Sequence, residues 1–496
     1  MMGRGATVIA RLMRLPEEHG LFGIWAGILL LSFALGIWRE WYFLAGVPAL
    51  ALLVYLSLVD VRKVFLLLMA SIPLSTEVVL PNGFGTDLPT EPLMIGLMGL
   101  AALLFFSKIA SLGVRLFKHP ITILLMLHLF WVYFSTFQSD MPGVSLKFSL
   151  AKTWYIVVFY FLAFYLLRTE EDIRKMLWWV FWPLLFTVAV ILLRHSASGF
   201  AFDQVHKVLS PFQRNHVSYA ATLALFIPFI WYLMGHFRRY SFQWWGIVGV
   251  FLFLLAATYL TYTRAAYLSL LIAAGSYFVF RFRLIRFGLL VGVVGAIAFV
   301  AYLTVDERYL DYAPNYDTTI MHTEFGSLLE ATTKGEDIST MERVHRWIAA
   351  VRMSQQSPWL GYGPGNFVHF YEPYTVNSFK TYVSRNEERS GVHSYFLLLL
   401  VEQGWPGLLF FLVLSFWVFI RGETIYQAYR KRGYGRLPMA ILLTLVVIYS
   451  FLIINDVIET DKVGSHFFLC LAMLVRLDLA YRQTSLKESD AYEQEK

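Results

Sequence analysis

The sequence has a single cysteine and few charged residues, and both shortages restrict what the protein can do. One cysteine, Cys470, allows no internal disulfide and no cysteine-rich metal site. Charged residues make up 15% of the chain, whereas soluble domains contain about a quarter. The sequence Asp-x-Asp is also absent, and a metal-assisted transferase would normally present such carboxylates to a hard divalent cation. These shortages exclude thiol redox chemistry and disfavour both a soluble protein and metal-assisted transfer.

Apolar and aromatic residues dominate instead. Apolar residues make up 58% of the chain, and 43 Phe, 28 Tyr and 15 Trp supply rings for belts at a membrane–water interface. The formal charge of +7 is what the positive-inside rule produces, so it gives no independent reason to expect a nucleic-acid partner. We therefore predict a protein surrounded by membrane lipids that binds no nucleic acid.

Apolar runs long enough to cross a bilayer recur along the whole sequence. A spanning helix needs about 20 mainly apolar residues, and shorter runs are accommodated by tilting or by bilayer thinning. The predicted fold class is an all-α polytopic membrane protein with about 14 transmembrane helices, in a range of about 12 to 14, and a large periplasmic loop containing amphipathic helices. The predicted spans are Leu21–Trp38, Tyr42–Leu58, Val64–Leu80, Leu93–Ser107, Ile121–Phe137, Ser149–Leu167, Met176–Leu193, Val217–Gly235, Gly246–Thr263, Ala265–Phe280, Phe287–Thr304, Ser394–Ile420, Leu437–Ile454 and Gly464–Val475.

Lysine and arginine are distributed unequally between the connections. They are concentrated at the N-terminus, in alternate connections and in the C-terminal tail, which predicts that both termini are cytoplasmic. The predicted organisation is a cytoplasmic segment over 1–20, helices 1–11 over 21–304, a large periplasmic loop over 305–391, helices 12–14 over 392–480 and a cytoplasmic tail over 481–496.

The large loop carries the signature of an amphipathic helix. Ser339 and Glu342 have the spacing of a capping box, which predicts a helix near Thr340–Met353. Its apolar face is predicted to contain Val344, Trp347, Ile348 and Val351. Its other face is predicted to contain Arg343, Arg346 and Arg352. Such a helix can lie on the membrane surface, take part in substrate binding, or do both.

Two ionisable residues fall at the outer ends of predicted helices. Arg264 directly follows the ninth span in TYTRAAYL, and His393 begins the twelfth in GVHSYF. Ionisable groups at membrane depth commonly face a cavity or a partner, although Arg264 could instead be a snorkelling anchor and His393 a satisfied polar residue. A histidine with an ordinary pKa of about 6.5 suits a general base at a membrane surface.

Between these two residues, Ser357–Phe367 contains three glycines and two prolines. Gly361, Gly363 and Gly365 would form a tight turn that exposes backbone N–H groups, and such a nest can bind an anion. No strand and helix of the Rossmann type flank the turn, so the glycine pattern alone is weak evidence for a ligand. We interpret it as a structural turn, with anion binding as the alternative.

These motifs and their order resemble those of the O-antigen ligase and O-antigen polymerase superfamily, a group of bacterial membrane glycosyltransferases of the GT-C type. The motifs that carry the resemblance are SPFQRNHVSYA, TYTRAAYL, MERVHRW, PWLGYGPGNF and GVHSYFLLLLVEQGWPG. They cover the chain from about Ser210 to Leu409, and the residues before Ser210 match only in being helical.

The resemblance implies transfer of a glycan from undecaprenyl pyrophosphate to a hydroxyl acceptor at the periplasmic face of the inner membrane, with inversion and without a metal or another cofactor. It implies Arg264 and His393 as the catalytic pair and, less directly, Arg214 as a further donor-binding residue. The chain departs from the family in having more predicted spans, and in having Ser394 and Tyr395 where an asparagine is common, which leaves the acceptor open.

The chemistry of the leaving group favours the same residues. Guanidinium groups can stabilise a departing pyrophosphate by bidentate hydrogen bonds without a metal, so Arg264 and Arg214, assisted by Arg343, are the predicted donor site. The candidates for lining or supporting the cavity are Asn215, His216, Trp347, Gly363, Tyr395 and Glu402.

Four functions are consistent with these residues. The first choice is an O-antigen ligase, whose acceptor is lipid A core. A polymerase would use the same donor with a lipid-linked glycan as acceptor, and a related enzyme would glycosylate protein hydroxyls. A polysaccharide or lipid transporter is the alternative from another class, with Glu402 as its intramembrane ionisable group.

Overall fold

The structure is a computed structural model, and the residues it describes are 27–32, 60–79, 85–112, 114–306, 338–376 and 390–494, with a few isolated positions elsewhere. The chain divides into two compact units, Met1–Leu68 and Met69–Lys496. The candidate site lies in the second unit.

Helices account for nearly all of the described residues. They are α1 Val61–Ser71, α2 Thr90–Leu112, α3 Val114–Phe117, α4 Pro120–Phe137, α5 Pro142–Ile156, α6 Ala163–Leu166, α7 Glu170–Ser196, α8 Val205–Val208, α9 His216–Met234, α10 Phe242–Tyr259, α11 Arg264–Arg281, α12 Ile285–Thr304, α13 Ile338–Gln356, α14 Phe367–Phe370, α15 Tyr395–Lys431, α16 Arg436–Ile454 and α17 Asp461–Gln494. A π-helical segment, Val157–Leu162, joins α5 to α6, and short 3-10 turns occupy Ile72–Leu74, Phe202–Gln204, Glu372–Tyr374 and Val457–Glu459.

Within the described residues, nine helices are long and apolar enough to cross a membrane. They are α4, α5 continued to Leu166, α7, α9, α10, α12, α15, α16 and α17. Each coincides with a predicted span, so the polytopic helical fold is confirmed. Helices α2 and α11 occupy two more predicted spans without meeting the same criterion. Most of Leu21–Trp38 and Tyr42–Leu58 lies outside the described residues.

The prediction of a third span over Val64–Leu80 is wrong. Helix α1 ends at Ser71, a 3-10 turn with Pro73 follows, and Thr76–Val79 then forms strand β1, which pairs antiparallel with strand β2 over Gly85–Leu88. Proline cannot donate a helical hydrogen bond, and Thr76, Val78 and Val79 are β-branched residues that favour an extended chain. The described part of the fold is therefore helical apart from this hairpin.

The helices differ in how deeply they lie within the bundle. In α9 and α17, 83% of the spanning window is buried, whereas the figure for α12 is 6%. Helix α16 packs against both α9 and α11. Helices α9, α16 and α17 therefore form the centre of the bundle, and α12 presents its apolar side chains to lipid.

Helix α15 is broken near its start, at Gly404, and a loop from before the helix bonds to the break. Gly404 has φ +68° and ψ −172°, values that only glycine adopts readily. The N–H of Trp405 donates to the carbonyl oxygen of Pro358 at 2.8 Å instead of continuing the helix. The glycine-rich loop after α13 is thereby joined to α15.

Candidate functional site

His393 lies between the loop helix and the first turn of α15. Nη1 of Arg346 is 2.8 Å from Nε2 of His393 and donates to the carbonyl oxygen of Gly391 at 3.2 Å. Nε1 of Trp347 donates to the carbonyl oxygen of His393 at 3.2 Å. The backbone of His393 is left-handed, with φ +58°, a conformation that costs about 1–3 kcal/mol for a residue other than glycine. Two consecutive side chains of α13 therefore hold a strained histidine in place.

The loop helix is confirmed, but its predicted faces are wrong. Helix α13 buries Met341, Arg346, Ala349 and Ala350, whereas Val351, predicted on the apolar face, is 43% exposed. The reason is that α13 packs against α15, where small alanines permit close approach and Arg346 reaches the polar groups before α15. The helix is oriented by protein contacts and not by its apolar stripe.

The surroundings of His393 keep its imidazole uncharged. Burial, followed by the positive charges of Arg346 and Arg343, lowers the pKa of His393 to about 3, although the Asn455 side chain opposes part of the shift. Because this pKa lies well below physiological pH, the ring is neutral there. A neutral imidazole can accept a proton, but with this pKa the ring is a weaker base than the ordinary imidazole expected from the sequence.

Asp456 is a member of this cluster that the sequence pattern did not single out. Its carboxylate packs against the backbone of Gly391, so a side chain at residue 391 would collide with it. Burial raises the pKa of Asp456, and the negative charge of Glu459 raises it further. The positive charges of Arg346 and Arg214 lower it. The signal in the sequence is the polar pair Asn455 and Asp456, which lies between two apolar runs.

Arg264 lies at the meeting point of two helix N-termini. It is the first residue of α11, and the hydroxyl of the preceding Thr263 donates to the carbonyl oxygen of His216, the first residue of α9, at 3.4 Å. Asn215 caps α9, since its Oδ1 accepts from the N–H of Ser218 at 2.8 Å. Helix N-termini carry partial positive charge, so this corner attracts anions.

Arg343 connects that corner to the histidine. It is close enough to act electrostatically on both His216 and His393. His216 also meets His206, with ring centroids 4.5 Å apart. The fold therefore brings Arg264, His216, Arg343 and His393 to one side of the bundle.

Arg214 reaches the same side by a different contact. Its Nε lies 3.6 Å from Oε2 of Glu77 in strand β1, and the two side chains are 66% and 44% exposed. Arg214 also acts electrostatically on Asp456. This arginine is accessible to a ligand from solvent, and the ion pair is of the exposed kind that contributes little to stability.

The glycine-rich turn binds a carboxyl group of the protein itself, that of Glu402. Oε2 of Glu402 accepts from the N–H of Gly365 at 2.8 Å, and Oε1 accepts from the N–H of Phe367 at 3.1 Å. The N–H of Gly363 donates to the carbonyl oxygen of Glu402 at 2.9 Å, and Gly363 packs against Ser139. The structural interpretation of this turn is confirmed, and Glu402 supports it.

Tyr395 belongs to a buried polar group that includes an unexpected lysine. Lys152 lies within α5, and its Nζ is 2.5 Å from Oε1 of Glu459 and 3.2 Å from the hydroxyl of Tyr395. The sequence analysis assigns Lys152 no role, although its position inside the predicted span Ser149–Leu167 is a signal that could have singled it out. Its charge is balanced by Glu459, as expected for an ionisable residue inside a bundle.

Residues 249–412 match the family model described as O-antigen ligase. Over these residues, about a third of its length, the chain is similar to the O-antigen ligase family. The matched segment includes Arg264, Arg343, Arg346 and His393, whereas Arg214 and Asp456 lie outside it. No curated protein sequence matches the chain significantly.

The family match and the spanning helices support a membrane glycosyltransferase of the O-antigen ligase and polymerase type in a bacterial inner membrane. Among the described residues, no group of three or more His, Cys, Asp or Glu side chains could hold a metal ion.

Proposed function

We propose that the protein is an O-antigen ligase, which transfers a glycan from undecaprenyl pyrophosphate to a hydroxyl group of lipid A core. The observation that supports this most strongly is the pairing of a neutral, partly buried His393 with arginines on the same side of the bundle, within a segment that matches the family. The reaction needs a proton acceptor and a stabiliser of negative charge, and these two kinds of residue supply both.

The arginines bind the donor. Arg264, with Arg214 and Arg343, holds the pyrophosphate beside the N-termini of α9 and α11. These groups stabilise the charge that develops as the bond between the anomeric carbon and the pyrophosphate oxygen breaks. The bonding electrons leave with the pyrophosphate. A metal is not required for this step, since guanidinium groups replace it.

His393 activates the acceptor. Its ring removes the proton of the acceptor hydroxyl while that oxygen attacks the anomeric carbon from the face opposite the pyrophosphate. A single displacement of this kind inverts the configuration at the anomeric carbon. Trp347 orients the backbone of His393 through its hydrogen bond to the carbonyl oxygen.

The proposed orientation puts this chemistry outside the cytoplasm. Loop 305–391 is periplasmic, α13 lies along the membrane surface over the donor site, and both termini are cytoplasmic. The support for this arrangement is the concentration of Lys and Arg in the other connections. The transporter hypothesis loses its main residue, because the carboxylate of Glu402 is bonded to two backbone N–H groups of the glycine-rich turn.

Deletion of the gene, followed by gel analysis of surface polysaccharide, tests the choice of acceptor. A ligase predicts that polymer accumulates on undecaprenyl pyrophosphate and is absent from lipid A core. A single repeat unit attached to core would instead establish the polymerase. Unchanged lipopolysaccharide with loss of glycan from protein would establish transfer to protein hydroxyls.

A further inference from the structure

The hydrogen bond between Arg346 and His393 has a defined direction. A guanidinium group has five N–H donors and no acceptor, so Nε2 of His393 must be the acceptor of the 2.8 Å contact with Nη1 of Arg346. A neutral imidazole has one N–H and one lone pair, so the proton of His393 is on Nδ1. Arg346 thus fixes the tautomer of His393.

The second ring nitrogen is consistent with this tautomer. Nδ1 of His393 is buried and has no hydrogen-bond partner of normal geometry among the described residues. The side chain of Asn455 lies close enough to favour the charged ring, which is the effect of an oxygen that accepts from a ring N–H. The lone pair of Nε2 therefore faces Arg346, and the single proton of the neutral ring is on Nδ1.

This arrangement leaves His393 without an available lone pair. The lone pair on Nε2 is the only site that can accept a proton, and the guanidinium group of Arg346 occupies it. An acceptor hydroxyl could not be deprotonated by His393 until Arg346 moves away. In the absence of substrate, the candidate base is blocked.

We propose that Arg346 is a positioning residue that senses the donor: it covers Nε2 of His393 in the resting protein and moves to the donor pyrophosphate, which frees the base. This proposal rests on the proposed function. Its consequence for the reaction is an order of events, in which the donor binds first and only then can an acceptor be activated.

The contacts of Arg346 favour such a movement. Nη1 donates to two neutral acceptors, His393 and the carbonyl oxygen of Gly391, and Nη2 forms an ion pair with Oε2 of Glu342 at 3.7 Å, which is longer than a hydrogen bond. A pyrophosphate offers charged oxygens to which a guanidinium group forms bidentate bonds about twice as strong as neutral ones. Arg343, which also acts on His393, lies on the same helix and is one of the proposed donor ligands.

Chemical modification of His393 tests the proposal without requiring transfer. Diethyl pyrocarbonate acylates a ring nitrogen that has an accessible lone pair, and peptide mass spectrometry gives the rate at each histidine. The experiment uses the purified full-length protein in nanodiscs, with inorganic pyrophosphate as the probe. Acylation of His393 should be slow alone and at least about tenfold faster with pyrophosphate, the change expected when a hydrogen bond from a charged group is lost.

Two variants identify the residue responsible. Arg346→Met should react at the faster rate without pyrophosphate and should not respond to its addition. Arg352→Met, an exposed arginine on the same helix, should behave as the wild type. His236 serves as an internal control, and its rate should be unchanged by pyrophosphate and by either substitution.

The proposal is overturned if pyrophosphate leaves the wild-type rate at His393 unchanged or lowers it, a result that requires no variant to fold. It is also overturned if folded Arg346→Met reacts as slowly as the wild type. If His393 is released by pyrophosphate but the protein transfers no glycan, the proposed function fails while the role of Arg346 stands. Normal transfer by a protein whose His393 does not respond to pyrophosphate would overturn the role of Arg346 and leave the proposed function standing.

Discussion

Glu402 supports the glycine-rich turn, and its removal should destabilise the protein by an amount that can be worked from its bonds. Its two carboxylate oxygens accept from the N–H groups of Gly365 and Phe367. A buried N–H that loses its partner costs about 1–3 kcal/mol, so Glu402→Ala should lower the free energy of unfolding by about 2–6 kcal/mol. Glu402→Gln keeps one oxygen and should cost about half as much, roughly 1–3 kcal/mol.

The assay is unfolding of the full-length protein by sodium dodecyl sulfate in mixed micelles, followed by tryptophan fluorescence. Glu372→Gln is the matched control, because this carboxylate is exposed and its substitution should change the free energy of unfolding by less than about 0.5 kcal/mol. If Glu402→Ala also falls within that range, the carboxylate does not support the turn. Loss of transfer by a fully stable Glu402→Gln would give Glu402 a role in the chemistry instead.

Three further predictions concern the metal, pH and topology. Transfer should continue in excess EDTA, and a loss of activity restored by magnesium would contradict an arginine-based donor site. The pKa of His393 is about 3 when folded and about 6.5 when unfolded, so between pH 7 and pH 5 only the unfolded chain gains this proton. The free energy of unfolding should therefore decrease as the pH is lowered from 7 to 5, and His393→Gln should make this pH dependence weaker. An equal pH dependence in the two proteins would count against a neutral His393 ring in the folded state. A cysteine introduced at Thr332 should react with an impermeant maleimide in intact spheroplasts, and reaction only after lysis would reverse the proposed topology.

Most of the spanning helices could be predicted because hydropathy is a property of composition. Long apolar runs such as those of α4 and α16 must be buried in lipid or protein whatever surrounds them. The wrong prediction of a span over Val64–Leu80 has a local cause. The mean hydropathy of the segment does not reveal Pro73 and the β-branched residues after it, which end the helix. The break at Gly404 was equally hidden, because it depends on the loop that bonds to α15.

The candidate site was predicted in part for a similar reason. Arg264 and His393 are ionisable residues at the ends of apolar runs, a signal that needs no tertiary information. The sequence pattern puts Arg346 on the charged face of its helix, because a single helix gives no sign that Gly391 and His393 will lie against it. Asp456 was overlooked for the same reason, since its neighbours in the cluster are distant in sequence.

Transfer by purified protein is the measurement that tests the central claim most directly. The wild type, given undecaprenyl-pyrophosphate glycan and lipid A core, should form the glycosidic product. Loss of a general base costs about 10²–10⁴ in rate and loss of a charge-stabilising group about 10²–10³, so His393→Ala and Arg264→Ala should abolish detectable transfer at normal expression. Arg264→Lys should recover little, because an ammonium group cannot form the bidentate pair. Near-normal turnover by His393→Ala or Arg264→Ala would contradict the mechanism, and no product from the folded wild type would contradict the proposed reaction itself.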